Sequence, residues 1–414
     1  MNIPVASPRV AAEPADPPLI ARGGKPFWRI NAAMFLAGLA TFGVLYCVQP
    51  LMPALAEAFA LSPAGASLSL SATTAIMAVA MIAAGALSEK TGRRRMMSVS
   101  LAAAAASTVA AAFAPTYPVL VALRALTGLA LSGVPAVAMA HLAEEVDRSD
   151  VGLAMGLYIA GSTIGGMVGR LSVGAVAEHG GWRLAVGAIG VASLIVAGLF
   201  ALALPPDRKR AAPASAAIGP AIRLHLADPG LRYLFALGFL LMGAFVTTYN
   251  YIGFRLAAPP FSLSPSRIGL VFILYLVGTV VSPAIGELSS RYGRRKVIGF
   301  GIALMPLGVL ATLPENLWLT ILGVGLITAG FFAGHSIASS WVGLRAERAR
   351  AQASALYLFF YYLGSSVAGS VGGWAFSGHG WPGVAAFVGA LTGAAFVIAL
   401  KLSRVPPPAH LAKH

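Results

Sequence analysis

Long apolar runs, each closed by a short cluster of charge, glycine or proline, set the rhythm of this 414-residue chain. Twelve can be drawn: 29–52, 66–88, 96–114, 117–140, 151–177 and 182–204, then 231–254, 267–288, 297–313, 317–341, 352–376 and 382–403. Met96 to Leu123 holds no charged side chain, and Ala351 to Leu400 none apart from His379. About 20 apolar residues, rising ~1.5 Å each, span the hydrocarbon layer of a bilayer. Lipid offers no partner to a bare backbone amide, so the crossing segments must be helical. The pattern predicts an all-α polytopic membrane protein with twelve transmembrane helices.

The second half repeats the first. GALSEKTGRRRMM begins at Gly85, and GELSSRYGRRKVI begins 201 residues later at Gly286. Leu157-Tyr158 recurs as Leu356-Tyr357, and Gly181-Trp182 as Gly380-Trp381, both at an offset of 199. Two pseudo-symmetric six-helix bundles account for this. They cover 29–204 and 231–403, joined by a polar, basic, Pro-rich linker, 205–230, with a short helix expected around Ile218–Leu226. Residues 1–28 read as a disordered tail without the apolar core of a signal peptide, and 404–414 as a short C-terminal tail.

Composition agrees. Of the chain 58% is hydrophobic and 10% charged, against roughly 25% charged in soluble domains. The formal charge of +15 suggests nucleic acid until the cations are assigned to sides. All lysines and arginines except Arg124, Arg170, Arg183, Arg255 and Arg267 then fall on one side. That asymmetry places both termini in the cytoplasm and explains the basic excess without nucleic acid. The single cysteine, Cys47, excludes a disulfide framework.

At these residues the chain resembles the major facilitator superfamily, whose loop motif between spans two and three reads Gly-x-x-x-Asp-Arg-x-Gly-Arg-Lys/Arg. Gly85, Glu89, Lys90, Gly92, Arg93 and Arg94 fill those places, with Glu for Asp; Gly286, Arg291, Gly293, Arg294 and Arg295 fill them again, with Ser290 for the acid. Arg124 to Gly128 is similar to the family's fourth-span Arg-x-x-x-Gly element. GSTIGGMVGR, 161–170, resembles its antiporter motif, with Gly166 where Pro is expected and Arg170 where the last Gly is expected. YCVQPLMP with GLYIAGSTIGGMVGR looks most like bacterial drug or arabinose efflux permeases of the inner membrane. The resemblance implies the major facilitator fold, alternating access, monomers and export of a small organic molecule by proton antiport. Proton-symport uptake of a metabolite and multidrug efflux are the alternatives.

The resemblance also implies roles. Gly85, Glu89, Gly92, Arg93, Gly286, Arg291, Gly293 and Arg294 would form a cytoplasmic gate. Its glycines would allow close helix approach, and Glu89 would pair with Arg93 or with a helix start near Ala351. Stop-transfer charge is the plainer account of the arginines. Arg124, with Gly128, is expected in proton coupling, or else paired near the outer interface. Gly161, Gly165, Gly166 and Gly169 bare one helix face for a kink or for tight packing. Arg170 either faces substrate or reaches the outer surface. His335 is a candidate coupling group, packing being its alternative. Gln49, Tyr158, Asn250, Tyr251, Tyr357 and Tyr361 are candidate cavity residues, interfacial anchoring being the other reading of the tyrosines.

No acid lies mid-span, which disfavours cationic cargo and favours a neutral polar or anionic substrate; Arg124, Arg170 and Arg255 point the same way. Paired carboxylates, His clusters, Cys-x-x-Cys and a phosphate-binding glycine loop are all missing. The expectation is therefore not an enzyme, with no cofactor or metal, whose partners are substrate, protons and lipid.

Overall fold

A computed structural model of the chain describes residues 19–207 and 218–406. Its first half contains α1 (Lys25–Tyr46), α2 (Met52–Ala58), α3 (Pro63–Thr91), α4 (Arg93–Ala112), α5 (Tyr117–Leu131), α6 (Pro135–Glu145) and α7 (Val151–Ala203). After α8 (Ile218–Ala227), the second half contains α9 (Pro229–Ala257), α10 (Pro265–Leu270), α11 (Leu276–Tyr292), α12 (Arg294–Ala311), α13 (Leu317–Arg345) and α14 (Arg350–Arg404).

Among the described residues, nine helical stretches are long and apolar enough to cross a membrane. Two of them, each 53 residues, would reach about 80 Å if straight, far beyond a hydrocarbon layer of about 30 Å. Each instead folds back at one glycine: Gly181 in α7 has φ 72°, and Gly380 in α14 has φ 58°. These are the Gly-Trp pairs of the repeat, and an L side chain rarely adopts such φ values. Spans five and six, and eleven and twelve, are thus hairpins without a connecting loop. With α12, which carries three leading cations and Pro306, the chain makes twelve crossings.

Prolines place the interruptions. Pro50 and Pro53 lack amide hydrogens, and the chain between Tyr46 and Met52 is a run of turns separating α1 from α2. Pro135 separates α5 from α6 in the same way. In the eighth span, Val271–Tyr275 is a 3₁₀ segment between α10 and α11. Gly92 and Gly293 both sit at positive φ, 87° and 86°, and reverse the chain between α3 and α4 and between α11 and α12.

Ordered structure reaches further into the N-terminal segment than the sequence suggested. Ile20 is buried and pairs with Val146: its amide donates to Glu145 O at 2.9 Å, and the Asp147 amide donates to Ile20 O at 3.0 Å. The Arg22 amide reaches Asp150 Oδ2 at 2.8 Å. The disorder expected for residues 19–28 is therefore corrected, since an apolar side chain and three backbone hydrogen bonds fix this stretch. The remaining tail and linker expectations, 1–18, 208–217 and 407–414, lie outside the described residues. α8 occupies the linker stretch where a short helix was expected, and buried His225 holds it to Ala349 O at 3.1 Å.

The two bundles meet at the end remote from the basic loops. Ser366 Oγ donates to Ser71 O at 2.8 Å, the Ser266 amide donates to Glu178 Oε2 at 3.1 Å, and Gly373 lies against Ala64. At the basic ends Arg93 holds Glu144 within the first bundle, and Arg345 holds Asp228 at the foot of the second. Outward faces carry large exposed apolar residues such as Val79, Ile195, Leu202 and Trp318, as a lipid-facing surface requires.

Candidate functional site

Between the bundles lies a cavity of about 500 Å³, within the size range of small-molecule sites. Its wall runs from Met139, Ser340 and Ser354, near the basic ends of α6, α13 and α14, inward to Tyr46, Arg170 and Tyr275. The cavity therefore opens towards the basic loops and is closed beyond Arg170.

Arg170 is 1% exposed. Its Nε donates to Gln49 Oε1 at 2.8 Å, Nη1 to Gly166 O at 2.6 Å, and Nη2 to Tyr275 Oη at 3.0 Å. Tyr46 and Tyr275 sandwich the guanidinium, with ring centroids 4.3 and 4.4 Å from Cζ. No carboxylate touches it. Three of its five N–H groups are engaged and two remain. Gln49 Nε2 in turn donates to Asn250 Oδ1 at 2.7 Å, while Asn250 Nδ2 is buried without a partner. Arg170 and Gln49 belong to the first bundle, and Tyr275 and Asn250 to the second, so this polar layer links the halves.

The glycines before Arg170 explain how it gets there. A Cβ on Gly161 or Gly165 would collide with the α1 backbone at Phe35 or Leu39, and one on Gly169 would lie 2.8 Å from Gly43 Cα. The bare face is thus a packing seam with α1, not a kink. Gly166 points the other way, lines the cavity and offers its carbonyl to Arg170.

Arg124 is fully buried but belongs to a different structure. Nη1 donates to Val44 O at 3.1 Å, Nη2 to Leu45 O at 2.7 Å and Nε to Ser69 O at 3.2 Å. The interruption after α1 frees carbonyls at the helix end, and this guanidinium satisfies them. The alternative of snorkelling to the outer interface is corrected, since Arg124 is 0% exposed and bonded to carbonyls inside the bundle. Gly128 lets α5 press against the α3 backbone at Thr73.

Of the candidate cavity residues, Tyr158, Tyr357 and Tyr361 line the wall, and the Tyr158 hydroxyl is buried without a partner. Gln49 and Asn250 stand behind Arg170 rather than on the wall. Tyr251 is a correction: its hydroxyl is spent on Gly369 O at 2.6 Å, and its ring packs on Phe376 in the bundle interface. Arg255, which with Arg124 and Arg170 pointed to a neutral or anionic cargo, reaches the Pro314 carbonyl at 2.8 Å and the Trp381 ring and does not line the cavity. His335 lines the cavity with Nδ1 2.8 Å from Tyr357 Oη. Sequence reasoning passed over Tyr46, Tyr275, Phe331 and Tyr362.

In the loop motif, Arg93 binds both carboxylate oxygens of Glu144 rather than Glu89, which is exposed and has no ion-pair partner among the described residues. A Cβ on Gly85 or Gly286 would meet nothing within 4 Å, so close helix approach is not their reason here. Asp207 accepts from the Arg94 amide at 3.1 Å, at the start of α4. In the second half Arg291 pairs with Glu287 at 2.5 Å, and Arg294 Nε is buried without a partner. At the foot of α9, partial burial of Asp228 is outweighed by hydrogen bonds from Arg345 and the Leu231 amide, which hold its carboxyl below the ordinary range.

The sequence profile of the Major Facilitator Superfamily matches residues 34–258 and 240–414. This chain belongs to the major facilitator superfamily. Its superfamily relatives include the inner membrane transport protein YnfM of Escherichia coli (strain K12), 46% identical over 93% of each chain. The uncharacterized MFS-type transporter YybF of Bacillus subtilis (strain 168) is 45% identical over 89% of this chain and 92% of its own. Among solved major facilitator structures, a bacterial homolog of the human lysosomal transporter Spinster superposes with a TM-score of 0.80 at 16% identity, covering 92% of this chain and 98% of that one. The D-xylose-proton symporter gives 0.72 at 17% identity, covering 92% and 98%. These likenesses give the fold, and the chain is a multi-pass membrane transporter of this superfamily.

Proposed function

We propose that this transporter carries a small organic anion across the inner membrane by alternating access, driven by the proton gradient. One observation carries the reading: Arg170 is buried at the closed end of the cavity, with two free N–H groups and no carboxylate on the wall. A buried cation without a counter-ion is costly. A substrate carboxylate supplies the missing charge.

The basic loops mark the cytoplasmic side by their asymmetry, so a cavity open toward them is the inward-facing state. In the opposite state the basic ends close, and exposed Glu89 is placed to meet the other bundle. Glu89→Gln is then expected to leave ligand binding intact and slow transport; unchanged transport removes the loop from the mechanism.

Charge also bears on coupling. A proton taken up by His335 adds positive charge to the cavity that holds the anion, so proton and substrate favour each other's binding. That arrangement suits symport. Antiport export remains the second reading, favoured by the glycine-rich seam that resembles the antiporter motif. Flux into proteoliposomes under an imposed pH gradient separates them: symport accumulates anion on the alkaline side, and antiport on the acidic side. Arg170→Gln is expected to abolish anion flux in either case, and full activity in that variant would sink the proposal.

A further inference from the structure

Resting on the anion reading of Arg170, we infer that the cargo is a compact aromatic monocarboxylate, its carboxylate on Arg170 and its ring against the aromatic wall of α13 and α14. Among the described residues, Arg170 is the one Lys or Arg on the cavity wall. A second substrate carboxylate would therefore be buried among rings with nothing to compensate it.

The wall is poor in groups that a polyol needs. Among the described residues, no Asn, Gln, Asp or Glu side chain lines it. Four of its five serine and threonine hydroxyls are turned inward on their own helices, Ser162 donating to Tyr158 O, Thr163 to Ile159 O, Ser339 to Ser336 O and Ser340 to Ile337 O, which leaves Ser354, His335 and the tyrosines as its polar groups. A sugar would lose hydration at every hydroxyl and recover few hydrogen bonds.

What the wall offers is an aromatic cluster whose part-exposed members are Phe42, Tyr275, Phe332, His335 and Tyr361, with Phe331 and Phe245 stacked and buried beside them. Phe331 lies parallel to Phe245, with centroids 3.9 Å apart and planes 12° from parallel. It also lies parallel to His335, at 5.5 Å and 6°. Tyr361 closes on His335 at 4.9 Å. Rings of this kind take another ring edge-on or offset-stacked, with a preference beyond simple area burial.

The test is a ligand series on the purified full chain, read by thermal unfolding and by equilibrium competition. Benzoate is expected to bind. Cyclohexanecarboxylate, with the same charge and no π-face, should bind roughly two- to tenfold more weakly. Benzamide lacks the charge and phthalate adds a second; both should fall at least about tenfold short. Phe331→Leu should erase the benzoate preference, and the series on the unmodified chain decides the question if that variant misfolds. Cyclohexanecarboxylate matching benzoate overturns this inference and leaves the anion reading standing. Benzamide matching benzoate, stabilisation by arabinose or a lipophilic cation alone, or no response to any carboxylate overturns both.

Discussion

The two halves share a fold and divide the work unequally. Gln49 and Asn250 are counterparts at an offset of 201 and bond to each other across the interface. Beside Gln49 stands Arg170; at the matching offset of 199, beside Asn250, stands Gly369. The unpartnered Asn250 Nδ2 sits where the repeat lacks its arginine. Arg124 likewise has Gly325 as its counterpart, and α9 runs unbroken where α1 stops at Tyr46. One half interrupts its first helix and holds two buried guanidiniums around the gap. The other keeps the helix intact and contributes rings. A duplicated scaffold has thus placed the charge on one side of the cavity and most of the rings on the other.

The largest expected effect is at Arg170. Removing one partner of a buried charge pair costs about 2–5 kcal/mol, so Arg170→Gln should weaken anion binding by roughly thirtyfold or more, measured by competition. Gly369→Ala, its opposite number, should alter binding far less. The next contrast concerns folding. Arg124→Met strands three carbonyls and should cost about 3 kcal/mol, seen as a lower unfolding temperature. At the matching site Gly325→Ala should be neutral or slightly stabilising, because its Cβ would meet only Leu274 at 3.8 Å. Equal destabilisation by both would erase the asymmetry.

Smaller effects sharpen it. Gly92→Ala forces an L side chain to φ 87° and should cost about 1–3 kcal/mol. Gly85→Ala, with nothing near its Cβ, should be close to silent in this conformation. Asp228 has a depressed carboxyl pKa. Its contribution is present above the ordinary carboxylate range and is lost as the pH falls through the lowered folded value. Unfolding temperatures in detergent should therefore drop on acidification in the parent chain, and less steeply in Asp228→Asn.

The fold was largely legible, since unbroken apolar runs and an internal repeat leave few alternatives. Arg170 stood out for a sound reason: a cation amid glycines within a span needs an explanation. Its aromatic partners did not stand out. In a soluble helix an apolar stripe marks the buried side, but lipid makes both sides apolar, so Phe331 on the cavity wall and Trp318 facing outward look alike in sequence. The role of Arg124 was hidden for another reason. It depends on carbonyls freed some 80 positions away, in a helix whose break is signalled only by Pro50 and Pro53. Tyr251 and Arg255 misled because composition does not say which way a helix is turned.

The glycine seam between α1 and α7 has a mechanical corollary. Helices meshed backbone to backbone cannot slide or roll separately, so Phe42, Tyr46 and Arg170 must travel as one plank. Tyr275 rides on the other side, as the last residue of a 3₁₀ stretch able to change its winding. Opening towards the far face therefore asks Tyr275 to release Arg170, Gln49 to release Asn250, and the outer pairs Ser366–Ser71 and Ser266–Glu178 to part.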